Sequence, residues 1–66
     1  LVKINGKDVD AAGVSVEKYL KDEGYRVDVI VVEYNEEIIE KEDYSTCILQ
    51  DGDVVEIVRF MGGGSL

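Results

Sequence analysis

Polar and apolar positions divide the chain into short elements. Val2-Lys3-Ile4 alternates at the period of a strand, Lys7-Asp8-Val9 follows, and Asn5-Gly6 lies between them. Asn-Gly tolerates the two positive φ angles that a two-residue hairpin turn demands, so strand, tight turn and strand are predicted. Val16, Tyr19 and Leu20 then fall at i, i+3 and i+4, one face of a helix. Ser15 is placed to cap it by accepting a bond from a free N–H of the first turn. Gly24 supplies the residue after its end, so the helix is predicted over about 16–23. Val27 to Tyr34 is β-rich with apolar residues on both parities, which predicts a strand covered on much of both faces. Asn35-Glu36-Glu37 breaks it and Ile38-Ile39 restarts a short strand. Glu40 to Thr46 is polar and reads as a loop, and Asp51-Gly52-Asp53 as a turn. Val54 to Met61 is the last strand, and Gly62-Gly63-Gly64 ends the ordered part.

One helix covers one face of such a sheet, so the expected fold class is α+β: a four- to five-stranded sheet in two layers. The last strand then tells which residues stay outside. Its two parities are Val54, Glu56, Val58, Phe60 and Val55, Ile57, Arg59, Met61. An unpartnered Glu56 is costly in a core, which assigns Val55 and Ile57 inward. Val54, Val58 and Phe60 are left on the open face as a docking patch near the C-terminus.

Composition narrows the chemistry. The chain has 66 residues, and 7 basic against 15 acidic side chains give a net charge of −8. One thin core is the limit at this length, since roughly 60% of the unfolded surface is buried. The charge repels phosphate backbones and anionic membranes, which argues against nucleic-acid and membrane partners. There is no His and one Cys, Cys47. Zinc sites built from Cys and His are excluded, and so are Ser-His and Cys-His nucleophile pairs. A lone thiol beside Ile48-Leu49, without a His to activate it, reads as buried and inert. The acidic stretch Glu33 to Asp43 has no metal-loop spacing and reads as a solvated edge, so no metal site is expected. No aliphatic run approaches the ~20 residues of a membrane helix and no signal peptide is visible; a reducing, cytoplasmic location is expected.

Three features together resemble a known family. Val2-Lys3-Ile4-Asn5-Gly6-Lys7 opens the chain, Leu49-Gln50-Asp51-Gly52-Asp53-Val54-Val55-Glu56 leads into the last strand, and Phe60-Met61-Gly62-Gly63-Gly64 closes it. Glu33-Tyr34-Asn35-Glu36-Glu37-Ile38-Ile39 fits as well. The set is similar to the ThiS sulfur carriers of thiamine biosynthesis, ubiquitin-like β-grasp proteins. The resemblance implies a β-grasp domain over 1–61 and a flexible glycine-rich tail over 62–66. It implies a carrier, not an enzyme, that binds no cofactor of its own. A ThiF-type adenylating enzyme uses ATP and Mg²⁺ to activate the terminal glycine carboxylate. A sulfur donor such as a cysteine desulfurase then converts it to a thiocarboxylate, and thiazole synthase consumes that sulfur. The sulfur-accepting end maps to Gly64, with Gly63 next to it and Gly62 in the tail. Ser65-Leu66 depart from the pattern and are expected to come from a tag or to be removed. Two alternatives remain open on the sequence: the same chemistry serving molybdopterin or another sulfur pathway, and a ubiquitin-like interaction module without carboxyl chemistry.

Overall fold

The computed structural model describes residues 1–60. Strands β1 (Val2–Ile4) and β2 (Lys7–Val9) form the predicted hairpin. Asn5 and Gly6 take φ of 51° and 82°, the positive values a type I′ turn requires. The Asn5 side chain has a second task. Its Oδ1 accepts the Ile57 N–H at 2.7 Å, and its own N–H donates to the Val55 carbonyl at 2.9 Å. The turn residue thus prolongs the parallel ladder between β1 and the last strand, β5 (Val54–Arg59).

Helix α1 (Val16–Asp22) starts at Ser15, whose hydroxyl accepts from the Lys18 N–H at 3.0 Å. The remaining free donors of the first turn are accounted for. Val16 N–H donates to the Cys47 carbonyl at 2.9 Å and Glu17 N–H to the Tyr44 carbonyl at 3.0 Å, while Tyr19 N–H makes the first intrahelical bond, to the Ser15 carbonyl at 3.0 Å. A strap formed by residues 44–49 therefore completes the helix start, a contact with no signature in the local sequence. At the other end Gly24 takes φ 80° and donates to the Lys21 carbonyl, while Tyr25 N–H reaches the Leu20 carbonyl at 2.9 Å. These two bonds make a Schellman stop. A seven-residue helix is marginal alone. Its buried Val16 and Leu20 fasten it to the sheet, and a fully buried Leu contributes about 1.5–3 kcal/mol.

Strands β3 (Ile30–Tyr34) and β4 (Glu37–Ile39) complete a five-stranded mixed sheet of order β2-β1-β5-β3-β4. Among the described residues only the β1–β5 pairing is parallel. Val2, Ile4, Ile30, Val32, Val55 and Ile57 face α1, joined by Ala11, Tyr44 and Leu49. No charged or polar residue is buried among the described residues.

Five expectations need correction. Val27–Val29 is a 3-10 turn rather than the start of a strand. Among the described residues the ladder to β5 begins at Ile30, opposite Arg59. The break after Tyr34 is two residues long, because Asn35 and Glu36 both adopt positive φ (50° and 73°) and let Glu37 enter β4. The polar stretch 40–46 holds a 3-10 turn, Lys41–Asp43, and a core residue, Tyr44, at 4% exposure. The second face of β3 is covered only in part: Val31 and Glu33 are half-buried, with no second layer over them among the described residues. β5 ends at Arg59, and Phe60 adds one bond from its N–H to the Val29 carbonyl.

Candidate docking face and carrier end

Strand β5 occupies the centre of the sheet and leads to the glycine run. Its alternation follows the expected parity: Val55 and Ile57 are buried, while Val54, Val58 and Phe60 are 44%, 54% and 42% exposed. Register shows what surrounds them on the open face. Val58 lies opposite Val31, and Glu56 opposite Glu33. On the far side of β3, Ile38 stands opposite Glu33 and is 66% exposed. Lys3 of β1 is aligned with Val54. The expected patch is therefore in two parts. Val58, Phe60, Val31 and Ile38 make the larger, at the end of the sheet where the chain leaves, and Val54 lies beyond Glu56. A groove of about 380 Å³ opens beside the larger part, lined by Ile38, Ile39, Tyr44 and Phe60 among others.

The start of β5 is held by a polar network. Tyr34 donates its hydroxyl proton to Asp53 Oδ2, Asn35 Nδ2 donates to Asp53 Oδ1 at 3.1 Å, and the Gln50 N–H donates to Oδ2 at 2.8 Å. Asn35 Oδ1 accepts from the Val54 N–H at 2.8 Å, and the Asn35 N–H donates back to the Val54 carbonyl at the same distance. Burial pushes the Asp53 carboxyl up, but the donors from Tyr34, Asn35 and Gln50 outweigh it and hold the group below its ordinary range. The bond to Asp53, with burial, pushes the Tyr34 hydroxyl up to about 12. The sequence predicts a plain turn at Asp51-Gly52-Asp53, and the structure makes Asp53 the hub of this network. A Tyr-Asn pair ending one strand, with an Asp starting its neighbour, was the available signal.

Cys47 is half-buried rather than buried. Burial first, then the charges of Asp53 and Asp43, push its thiol up, so it is protonated at neutral pH. Among the described residues no group of three or more His, Cys, Asp or Glu side chains could hold a metal ion. No helix among them is long and apolar enough to cross a membrane. Gly62, Gly63 and Gly64, the predicted carrier end, lie outside the described residues, as do Met61, Ser65 and Leu66.

The family model of the ThiS family matches residues 1–64. The chain belongs to the ThiS family. It is 40% identical to the sulfur carrier protein ThiS of Bacillus subtilis, over 97% of this chain and all of that protein. The crystal structure of the thiamine biosynthesis protein ThiS from Geobacter metallireducens superposes with a TM-score of 0.77 at 34% identity, covering 96% of this chain and 97% of that one. Its solution structure gives 0.74 at 35% identity, over 98% of this chain and 88% of that one. ThiS membership and the mixed sheet with one helix establish the ubiquitin-like β-grasp fold, and with it the role of sulfur carrier in thiamine biosynthesis. A thiazole synthase of Paramagnetospirillum magneticum is 41% identical over 94% of this chain. There the ThiS-like region is 19% of the longer protein, so this chain spans about a fifth of that relative's length.

Proposed function

We propose that this ThiS chain carries sulfur as a thiocarboxylate on Gly64, and that it serves its partners as a co-substrate with no catalysis of its own. The observation that carries the reading is the match to the ThiS family, which runs to residue 64 and so ends on the third glycine of the run. A free α-carboxylate, with a pKa near 3.5, is ionised at neutral pH and is a poor electrophile. A ThiF-type adenylating enzyme supplies the missing leaving group: with ATP and Mg²⁺ it joins the Gly64 carboxylate to AMP and releases pyrophosphate. The terminal sulfur of a donor persulfide, such as that of a cysteine desulfurase, then attacks the acyl-adenylate and displaces AMP. A thiol cleaves the S–S bond of the resulting acyl disulfide, leaving the thiocarboxylate on Gly64 and a disulfide on the donor side, and thiazole synthase consumes the thiocarboxylate. The chain contributes two things. Glycines without Cβ atoms let the end enter a narrow site. The exposed Val54, Val58 and Phe60 provide apolar contact to hold it there. Ordering three glycines costs about 3–6 kcal/mol, which roughly 250 Å² of apolar contact offsets at ~25 cal/mol/Å². The net charge of −8 favours approach to basic enzyme surfaces. Ser65 and Leu66 lie beyond the family match, so charging requires a chain ended at Gly64.

The test is direct. The protein ended at Gly64 is incubated with ATP, Mg²⁺, the adenylating enzyme and a sulfur donor, then weighed by mass spectrometry. The expected result is replacement of one oxygen by sulfur. An unchanged mass, with the adenylating enzyme shown to be active, overturns the proposal.

A further inference from the structure

Glu33 of β3 and Glu56 of β5 are direct cross-strand neighbours on the open face. Like charges so placed are destabilising, because facing Cβ atoms lie only about 4.5–5.5 Å apart. No ion pair among the described residues reaches either carboxylate. The ion pairs among the described residues join Leu1 to Asp51, Lys3 to Asp8, Lys18 to Asp22 and Arg26 to Asp28. Lys3, aligned with Val54 on the same face, lies 3.5 Å from Asp8. Arg59 lies on the other parity, with its guanidinium 6.0 Å from the Tyr25 ring centre. The two carboxylates are framed by apolar side chains instead. Val54 and Val58 flank Glu56, Val31 precedes Glu33 on its face, and Ile38 stands opposite Glu33.

We propose that Glu33 and Glu56 form a receptor for an arginine of thiazole synthase, which enters between the two carboxylates while apolar side chains around it settle on Val31, Val54 and Val58. The inference rests on the carrier reading above and names how one partner is recognised. A planar guanidinium presents donors in a fork and bridges two acceptors, which a single ammonium does less well. The apolar frame excludes water from the contact and strengthens it. A surface without a cation at that point would bury two carboxylates unpaired and is rejected, so the repulsion stored in the free sheet becomes selectivity. A bare metal ion is a poor occupant, because two carboxylates fall short of the six or more oxygens that hard cations take. Thiazole synthase is favoured because ThiS-like regions occur within thiazole synthase chains of Paramagnetospirillum magneticum and Magnetococcus marinus, which keeps carrier and synthase surfaces side by side.

The experiment uses the carrier ended at Gly64 with Glu33→Gln, Glu56→Gln and both, each titrated against the cognate thiazole synthase at low and moderate salt. Each single substitution is expected to weaken binding at least tenfold and to flatten its salt dependence, while the thermal midpoint of the free carrier holds or rises. Affinities within twofold of the parent overturn the proposal, and so does a fall in midpoint, which would make the pair a support of the sheet. A loss seen only with the adenylating enzyme overturns thiazole synthase as the occupant. A parent carrier that acquires sulfur but does not bind the synthase overturns this inference alone. A parent that never acquires sulfur removes the carrier reading beneath it.

Discussion

Replacing Tyr34 with Phe removes one hydroxyl and leaves the ring in place, so it isolates the bond to Asp53. In the folded protein the Tyr34 hydroxyl is pushed up to about 12 by that bond and by burial. Against an ordinary value of 10, this corresponds to at most about 2.7 kcal/mol. Tyr34 is only half-buried, and solvent screening reduces the figure to about 1–2 kcal/mol. A hydrogen bond to a charged group contributes a similar amount. The sign of the pH dependence follows for both partners. A raised tyrosine contributes stability that is complete below about pH 10 and is lost as pH climbs towards 12. A lowered Asp53 contributes stability that is complete above the ordinary carboxylate range and is lost as pH falls through it. The difference between parent and Tyr34→Phe is therefore a plateau between about pH 5 and 9 that shrinks on both sides. At neutral pH the thermal midpoint should drop by about 7–14 °C for a chain of this size. Urea unfolding of both proteins, followed by circular dichroism from pH 3 to 11, measures the whole curve. A difference below about 0.5 kcal/mol at pH 7, or one that does not change with pH, would refute the reasoning.

Two substitutions extend the test to strain and to docking. Glu36 occupies the left-handed region at φ 73°, where a Cβ costs about 1–2 kcal/mol; Glu36→Gly, after its own entropy cost, should stabilise the chain by about 0.5–1 kcal/mol in urea unfolding. Val58 is 54% exposed on the open face, so Val58→Asp should shift stability by less than about 0.5 kcal/mol yet slow thiocarboxylate formation at limiting adenylating enzyme, as read by mass spectrometry.

What the sequence disclosed and what it hid divide along a physical line. Local chemistry was legible. Asn5-Gly6 fixed a turn, Ser15 and Gly24 bounded a helix, and the cost of burying Glu56 sorted the faces of β5. Contacts between distant segments were not. The 44–49 strap supplies carbonyls to Val16 and Glu17 through backbone atoms, which carry no residue-type signal. Tyr44 sits in a polar stretch, and its burial at 4% depends on the path of the surrounding loop. The Glu33–Glu56 opposition depends on strand register across twenty-odd residues of chain, which composition does not encode. For the site itself, the exposed valines and Phe60 followed from alternation. The Asp53 hub required knowing that β3 ends where β5 begins.

The position of β5 in the middle of the sheet has a mechanical consequence. A strand at an edge peels from its single neighbour one bond at a time, like a zip. β5 is gripped by β1 on one side and β3 on the other, with Asn5 adding its side chain to the grip. Tension applied by an enzyme drawing the terminus into its interior would load these bonds together, in shear along the strand. The pull is shared between the first strand of the chain and the third, so the body can be hauled by its end without unravelling.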